Sequence, residues 1–365
     1  MNIHKRNRRS LRQIFALLAI PASLVALLWC REQSLVSQGQ EFSPISDAYE
    51  VLPGSELCYS AAQNTLAVVS TGGWQLFDSS GRLIASDTTT MTTPVCITSD
   101  AVSVFYSTGD TVLQLVDANG CGSKLETDGA IRFVDVNQGG QLTVITDRDG
   151  YKGSVTVYSQ ELKPLFQWDA GTDLPLCARL SPKGQVAISC LTEEGSRLII
   201  FRTDRQEPVY QQNFTGERIL DMAFTAENRI ALLTDTSMYL YNLDKGTAQT
   251  LTPTESYPVL FDSSSELAAV VCTTECFGGT GTLYALSNKG KGHYALSLPE
   301  TVLDISVRKN RILLLTENEL ILCSRRLETI ASLSLRQKAQ HIFLRPDNTA
   351  LAVGSHGVEC YDFGR

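Results

Sequence analysis

Residues 228–242 (NRIALLTDTSMYLYN) are repeated in outline by residues 310–324 (NRILLLTENELILCS). Both stretches begin with Asn-Arg-Ile and continue as a short β-rich apolar run that ends in Thr. Each then finishes with a second run of period-two alternation that ends in a polar residue. Period-two alternation is typical of a strand whose two faces meet different surroundings. The stretch therefore predicts two adjacent strands of a repeating unit.

Further copies of the apolar run recur along the chain at intervals of 36 to 45 residues. There are eight of them: 66–70 (LAVVS), 102–107 (VSVFYS), 142–146 (LTVIT), 186–190 (VAISC), 230–234 (IALLT), 267–271 (LAAVV), 312–316 (ILLLT) and 350–354 (ALAVG). Each is followed by an alternating run, and a further short strand precedes it across a polar turn, as in CARLSPKGQVAISC (residues 177–190). A weaker fourth strand follows. Four antiparallel strands, repeated at this period without helices, predict an all-β fold, an eight-bladed β-propeller.

The two ends of the chain bear on how the ring closes. The eighth unit stops just after its third strand, and residues 49–52 (YEVL) are well placed to supply its outer strand. Such pairing would remove an open sheet edge. A seven-bladed ring is the alternative if one weak unit is an irregular insertion.

The charge is distributed unevenly. Six of the 31 basic residues and no acid lie in residues 1–31, which leaves 25 bases against 39 acids, a net charge of −14, in the remainder. An acidic body repels phosphate backbones, so we expect no nucleic-acid partner.

The amino-terminal segment predicts a membrane anchor. A basic stretch (residues 1–13) precedes 17 uncharged, mostly apolar residues (14–30), and a linker (31–46) leads to the propeller (47–365). A cleaved signal peptide needs a small-x-small site, and a lipoprotein signal needs a small residue before its Cys. Trp29 precedes Cys30, so a retained signal anchor fits best. Basic residues before the span keep the amino terminus in the cytoplasm. We therefore expect a single-pass protein of the cell membrane whose propeller is extracytoplasmic.

The repeating units resemble the wider propeller superfamily that includes the quinoprotein-like and WD-type groups, without their signature tryptophans. The layout of basic terminus, single span and acidic propeller resembles an uncharacterised family of membrane-anchored propellers in clostridial-type Gram-positive bacteria. Residues 147–159 (DRDGYKGSVTVYS) are the stretch most similar to it. The resemblance implies no known activity.

Three acids occupy predicted innermost strands: Asp221 in ILDMAF, Asp304 in VLDISV and Asp135 in RFVDVN. Innermost strands line the central channel, where carboxylates could bind a cation. The alternative, which we favour, is that each Asp bonds to backbone N–H groups. We predict no cofactor and no metal site.

The ten cysteines admit two interpretations. An exported protein can use them as disulfides, whereas cysteines on strands are also common as small buried hydrophobic residues. Two pairs are disulfide candidates. Cys177 and Cys190 lie at matching distances from a hairpin turn, and Cys272 and Cys276 enter a Gly-rich loop.

Three long loops join second to third strands in units three, four and six, so they should project from one rim. Tyr151, Lys152 and Phe277 are the residues most suited to a binding surface there, because loops on a rigid ring commonly carry function. We therefore expect a binding module for a protein or a cell-envelope polymer. The alternative is a glycan-active hydrolase or lyase with acids at the channel mouth, for which the spacing identifies no carboxylate pair.

Overall fold

The structure, a computed structural model, describes residues 57–255, 257–276, 279–288, 292–354 and 357–364. These residues form 31 strands in eight sheets, and in every sheet the strands pair antiparallel in sequence order. Each sheet is called a blade, numbered along the chain. The first strand of a blade lies at one edge of its sheet and the last strand at the other.

Blade one contains β1 (Cys58–Ala61), β2 (Thr65–Ser70), β3 (Gly73–Asp78) and β4 (Leu83–Asp87), and blade two contains β5 (Pro94–Thr98), β6 (Val102–Ser107), β7 (Val112–Asp117) and β8 (Gly122–Glu126). Blade three contains β9 (Ile131–Val136), β10 (Leu142–Thr146), β11 (Gly153–Tyr158) and β12 (Pro164–Ala170). Blade four contains β13 (Leu174–Leu180), β14 (Gln185–Thr192), β15 (Gly195–Arg202) and β16 (Arg205–Thr215).

Blade five contains β17 (Ile219–Ala226), β18 (Arg229–Thr234), β19 (Met238–Asn242) and β20 (Thr247–Leu251), and blade six contains β21 (Tyr257–Ser263), β22 (Leu267–Thr273), β23 (Gly281–Ser287) and β24 (His293–Leu298). Blade seven contains β25 (Asp304–Arg308), β26 (Arg311–Leu315), β27 (Glu319–Ser324) and β28 (Thr329–Ser334). Blade eight contains β29 (His341–Leu344), β30 (Thr349–Gly354) and β31 (Gly357–Asp362).

Burial explains why the second strand of each blade reads as an unbroken apolar run. All residues of β6 and β22 are buried, because these strands have a neighbouring strand on each side and a neighbouring blade on each face. The outermost strands, such as β8 and β16, are mostly exposed and carry little apolar signal. The opening repeat therefore consists of the second and third strands of blades five and seven, as predicted.

Apolar clusters between neighbouring blades hold the ring together. Seven clusters join blade one to two, two to three, and so on to seven and eight. An eighth joins Leu66, Val68 and Phe77 of blade one to Leu351 and Val353 of blade eight. Each fully buried aliphatic side chain contributes about 1.5–3 kcal/mol. The eighth cluster closes the circle, and the predicted eight-bladed propeller is confirmed.

The turns between third and fourth strands in blades one and two follow one pattern. Gly81 and Gly120 have φ angles of +83° and +84°, which only glycine adopts without strain, and each donates its N–H to the carbonyl of the aspartate three residues earlier. Asp78 also accepts hydrogen bonds from the backbone N–H groups of Ser80 and Arg82. The Asp-x-x-Gly sequence therefore fixes the end of the third strand.

Some predictions lie outside the described residues. These are the basic segment, the span at residues 14–30, the linker, and the outer strand of blade eight at residues 49–52. Within the part of the chain that the structure describes, no helix has the length and apolarity needed to cross a membrane.

Candidate functional site at the upper face of the propeller

The two faces of the ring are distinguished by their loops. We call upper the face that carries the loops between second and third strands and the connections between blades. The lower face carries the turns between first and second and between third and fourth strands. Because strands alternate in direction, every innermost strand begins at the upper face.

A groove of about 770 Å³ opens on the upper face between blades three and four. One wall is formed by Tyr151 and Lys152, from the loop before β11, and the other by Thr192, Glu193 and Glu194, from the loop before β15. The structure thus brings two of the three predicted rim residues and the predicted blade-four loop to one concave site. Phe277, the third rim residue, lies outside the described residues.

Backbone hydrogen bonds fix the wall of the groove that belongs to blade three. The N–H of Tyr151 donates to the carbonyl of Arg148 at 3.1 Å, and the N–H of Lys152 donates to the carbonyl of Ala170 at 2.7 Å. The Tyr151 side chain is nevertheless 49% exposed. A large aromatic side chain on a fixed backbone loses little entropy when it is covered, which suits it to binding.

The groove is lined by paired charges. Arg197 on β15 forms a salt bridge with Asp173 at 2.7 Å, and its Nε donates to Asn213 Oδ1 at 2.9 Å. Arg132, at the start of β9, is paired with Asp147. Salt bridges therefore hold the side chains of Arg132 and Arg197, while Glu193 and Glu194 are solvent-exposed on the wall that belongs to blade four.

An acidic residue recurs in the connections that lead into blades five and six. Glu217 accepts hydrogen bonds from Tyr239 Oη at 2.8 Å and Thr234 Oγ1 at 2.6 Å. Glu255 accepts them from Tyr284 Oη at 2.6 Å and Thr282 Oγ1 at 2.7 Å. Burial acts to raise the pKa of Glu255, but these hydrogen bonds outweigh burial and lower that pKa. These acids lock each connection onto the blade that follows it.

Four large apolar side chains are exposed where innermost strands begin, at the upper mouth of the channel. They belong to blades four to seven and are 43% to 52% exposed: Leu176, Leu220, Tyr257 and Leu303. Leu176 and Leu220 each occupy the extra position of a register shift in their strand. A β-bulge re-aims the side chain that it carries. We call these four residues the apolar collar.

The predicted channel acids Asp135 and Asp221 meet at an arginine. Arg179, on β13 of blade four, forms salt bridges with Asp135 on blade three and with Asp221 on blade five. Its Nε also donates to the carbonyl of Met222 at 2.9 Å. Burial raises the pKa of Asp135, although Arg179 opposes that shift. These carboxylates and the one guanidinium that they share therefore join three innermost strands.

The third predicted channel acid, Asp304, is apart from that cluster. It accepts the N–H of its own neighbour Ile305 at 2.9 Å and that of Ile342 on blade eight, also at 2.9 Å. Hydrogen bonding with Asp304 raises the pKa of His341. Asp304 thus bonds to backbone N–H groups across a blade boundary.

Asp262 on β21 makes the same kind of link and was not singled out by sequence. It accepts the N–H of Ser263 at 2.7 Å and that of Val307 on blade seven at 2.6 Å. Burial raises the pKa of Asp262 from 3.8 to about 7. With Asp135, Asp221 and Arg179 it lines a cavity of about 590 Å³ at the lower mouth of the channel. No group of three or more metal-ligating side chains occurs among the described residues.

The four candidate disulfide cysteines are free thiols. Cys177 lies opposite Ser189 in the hairpin, and Cys190 lies opposite Pro175. This offset of one residue turns the two thiols to opposite faces of blade four, where each joins a different apolar cluster. Cys272 is buried on β22, whereas Cys276 is exposed in the following loop. The structure brings neither pair together.

A closed ring of eight antiparallel blades with its grooves on the loop faces defines a β-propeller, the class to which this protein belongs. The sequence profile described as "Family of unknown function (DUF5711)" matches residues 45–361. The chain is therefore a member of the DUF5711 family. No curated protein matches the sequence.

Solved structures share the fold at low identity. Sqt1 of Saccharomyces cerevisiae has a TM-score of 0.64 at 8% identity, covering 86% of this chain and 97% of its own. The C-terminal WD40 domain of Sif2 has a TM-score of 0.62 at 10% identity, covering 87% and 100%. BamB from Moraxella catarrhalis has a TM-score of 0.52 at 13% identity, covering 86% and 96%.

Proposed function

We propose that this protein is a membrane-anchored, extracytoplasmic interaction module that binds a protein partner through the upper face of its propeller. The observation that carries the proposal is the groove between blades three and four. It combines the exposed side chain of Tyr151, on a hydrogen-bonded backbone, with the cation of Lys152 and the acids of the opposite loop. Tyrosine is enriched at protein-binding surfaces, and charges arranged around it determine which partner fits.

The apolar collar also supports binding at the upper face. Scattered apolar side chains are ordinary on a surface, but these four begin the innermost strands of consecutive blades, so a partner seated at this channel mouth would cover them together. The net charge of −14 outside residues 1–31 favours a partner with basic groups and disfavours nucleic acid. Glu193 and Glu194 are the acids of the groove best placed to meet such groups.

The anchor follows from the basic and apolar amino-terminal segments. Residues 14–30 are long enough to cross a bilayer, and the basic flank favours a cytoplasmic amino terminus. The propeller would then lie outside the membrane, where its partner is another envelope protein.

Site-specific photo-cross-linking on the full-length chain in its membrane tests the proposal. A photoreactive amino acid is placed at Glu194 in the groove or, as the control, at Leu83, which is exposed on the outermost strand β4. We expect a discrete protein adduct from position 194 that is lost when Tyr151→Ala and Lys152→Ala are added. Equal adducts from position 83, or an adduct unaffected by the two substitutions, would overturn it.

A further inference from the structure

Two cysteines of neighbouring blades lie side by side on the innermost strands. The Sγ of Cys96 on β5 is 3.8 Å from the Sγ of Cys58 on β1, and 3.4 Å from the Cys58 carbonyl. Two residues further along both strands, the N–H of Thr98 donates to Ser60 Oγ at 2.9 Å. This hydrogen bond holds the two strands next to each other beside the cysteine pair. No other pair of cysteine sulfurs is in contact among the described residues.

The two thiols differ in ways that suit sequential reaction. Cys58 is half-buried, whereas Cys96 is 4% exposed. The hydrogen bond from Cys96 lowers the pKa of Cys58 to about 6, against the effect of burial. Burial raises the pKa of Cys96. The thiolate is the nucleophile in disulfide chemistry, so Cys58 attacks first and Cys96 resolves.

We propose that Cys58 and Cys96 form a disulfide that clasps blade one to blade two at the channel wall. The gap of 3.8 Å between the sulfurs must shrink to the roughly 2.05 Å of an S–S bond. The oxidant is a disulfide, carried by an envelope oxidoreductase or by a small molecule.

The exchange balances in two steps. The Cys58 thiolate attacks one sulfur of the oxidant's disulfide, forms a mixed disulfide and releases the other sulfur as a thiolate. Cys96 then loses its proton and attacks Cys58 Sγ, which forms the Cys58–Cys96 bond and releases the second thiolate. Two electrons and two protons pass to the oxidant, which becomes a dithiol.

Other cysteines provide internal controls. Cys177, Cys190 and Cys323 are buried in three separate apolar clusters, whereas Cys121 is exposed on a turn. None of them is placed to resolve a mixed disulfide on Cys58. A cross-link at this position is therefore specific to one boundary of the ring.

Peptide mapping of the folded, full-length chain tests the proposal. The reduced chain is incubated with glutathione disulfide, free thiols are alkylated, and the protein is digested with trypsin. The sequence has no Lys or Arg between Arg31 and Arg82 or between Arg82 and Lys124, so Cys58 falls in peptide 32–82 and Cys96 in peptide 83–124. We expect these peptides to be linked, with a mass about 2 Da below their sum.

The variant Cys121→Ser removes the other cysteine of peptide 83–124 and should leave the link intact. Cys96→Ser should instead leave glutathione attached to Cys58. The oxidised wild-type chain should unfold at a temperature roughly 5 °C above the reduced chain. The proposal is overturned if Cys58 of the wild type is recovered alkylated or still carries glutathione. It is also overturned if the link between the two peptides disappears in Cys121→Ser.

Discussion

Arg179 on blade four donates a hydrogen bond to Asp221 on blade five at 3.0 Å, and the same guanidinium is paired with Asp135 on blade three. One cation therefore ties three innermost strands together at the channel wall. Asp262 and Asp304 link blade six to seven and seven to eight by bonding to backbone N–H groups. The ring is stabilised by polar links along its inner rim as well as by the apolar clusters between blades.

Replacing Arg179 tests the importance of this link. Arg179→Met leaves two partly buried carboxylates without their cation, and we expect a loss of about 2–4 kcal/mol in the free energy of unfolding, measured in urea. Arg205→Met is the control, since Arg205 and Asp204 are more than half exposed and their ion pair should add little to the free energy of unfolding. Adding Asp135→Asn to Arg179→Met should recover part of the loss. Equal stability of Arg179→Met and the wild type would contradict the link.

Asp262 predicts a dependence of stability on pH. Its pKa is raised from 3.8 to about 7, so the native state holds a proton that the unfolded state has released between those values. Stability should therefore fall as pH rises from about 4 to about 7. The raised pKa of His341 acts in the same direction, since its stabilisation is lost as pH rises through the native value.

Comparison with Asp262→Asn isolates the contribution of Asp262. Between about pH 5 and about pH 8 the variant should lose about 1–3 kcal/mol less unfolding free energy than the wild type. Urea titrations at the two pH values measure the difference. Identical losses in the two proteins would show that Asp262 titrates as an ordinary carboxyl group.

A hydrogen-bonded tryptophan joins blades one and two. Trp74 stacks on Phe105 with ring centroids 4.3 Å apart, and its Nε1 donates to Gln114 Oε1 at 3.0 Å. Gln114→Leu leaves the buried indole N–H without that acceptor, which costs about 1–3 kcal/mol. The free energy of unfolding measures the loss. A neutral Gln114→Leu would mean that the indole finds another acceptor.

The side of the membrane occupied by the propeller can be determined with a thiol that the chain already has. Cys121 is exposed on the turn before β8, so a membrane-impermeant maleimide should label it in intact cells. The label is read on peptide 83–124, since the half-buried Cys58 of peptide 32–82 also reacts when it is reduced, and Cys121→Ser should abolish the label on peptide 83–124. Labelling that requires lysis would place the propeller in the cytoplasm.

The sequence predicted the architecture well because strands buried on both faces leave continuous apolar runs at the blade period. It predicted less of the contacts between blades. Arg179 lies in a strand that reads as ordinary, and Cys58 and Cys96 are 38 residues apart in different blades. Such contacts depend on how the sheets stand around the axis, which no local pattern encodes.

The register of paired strands was also difficult to predict from the sequence. In the blade-four hairpin, Cys177 lies opposite Ser189, one residue away from Cys190. The sequence of the turn does not show this offset. Glu217 and Glu255 could have been found, because acids recur in successive blade connections near the blade period. Loop length predicted that Tyr151 and Lys152 lie on the rim, whereas the groove between blades three and four was not predicted.

The affinity of the partner for the upper face tests the central claim most directly. Once the protein cross-linked from position 194 is identified, its dissociation constant is measured with the full-length wild type and with Tyr151→Ala plus Lys152→Ala. We expect the two substitutions to weaken binding about tenfold or more, and Leu83→Ala on β4 to leave it unchanged. Unchanged affinity of the groove variant, or equal weakening by Leu83→Ala, would contradict an upper-face binding site.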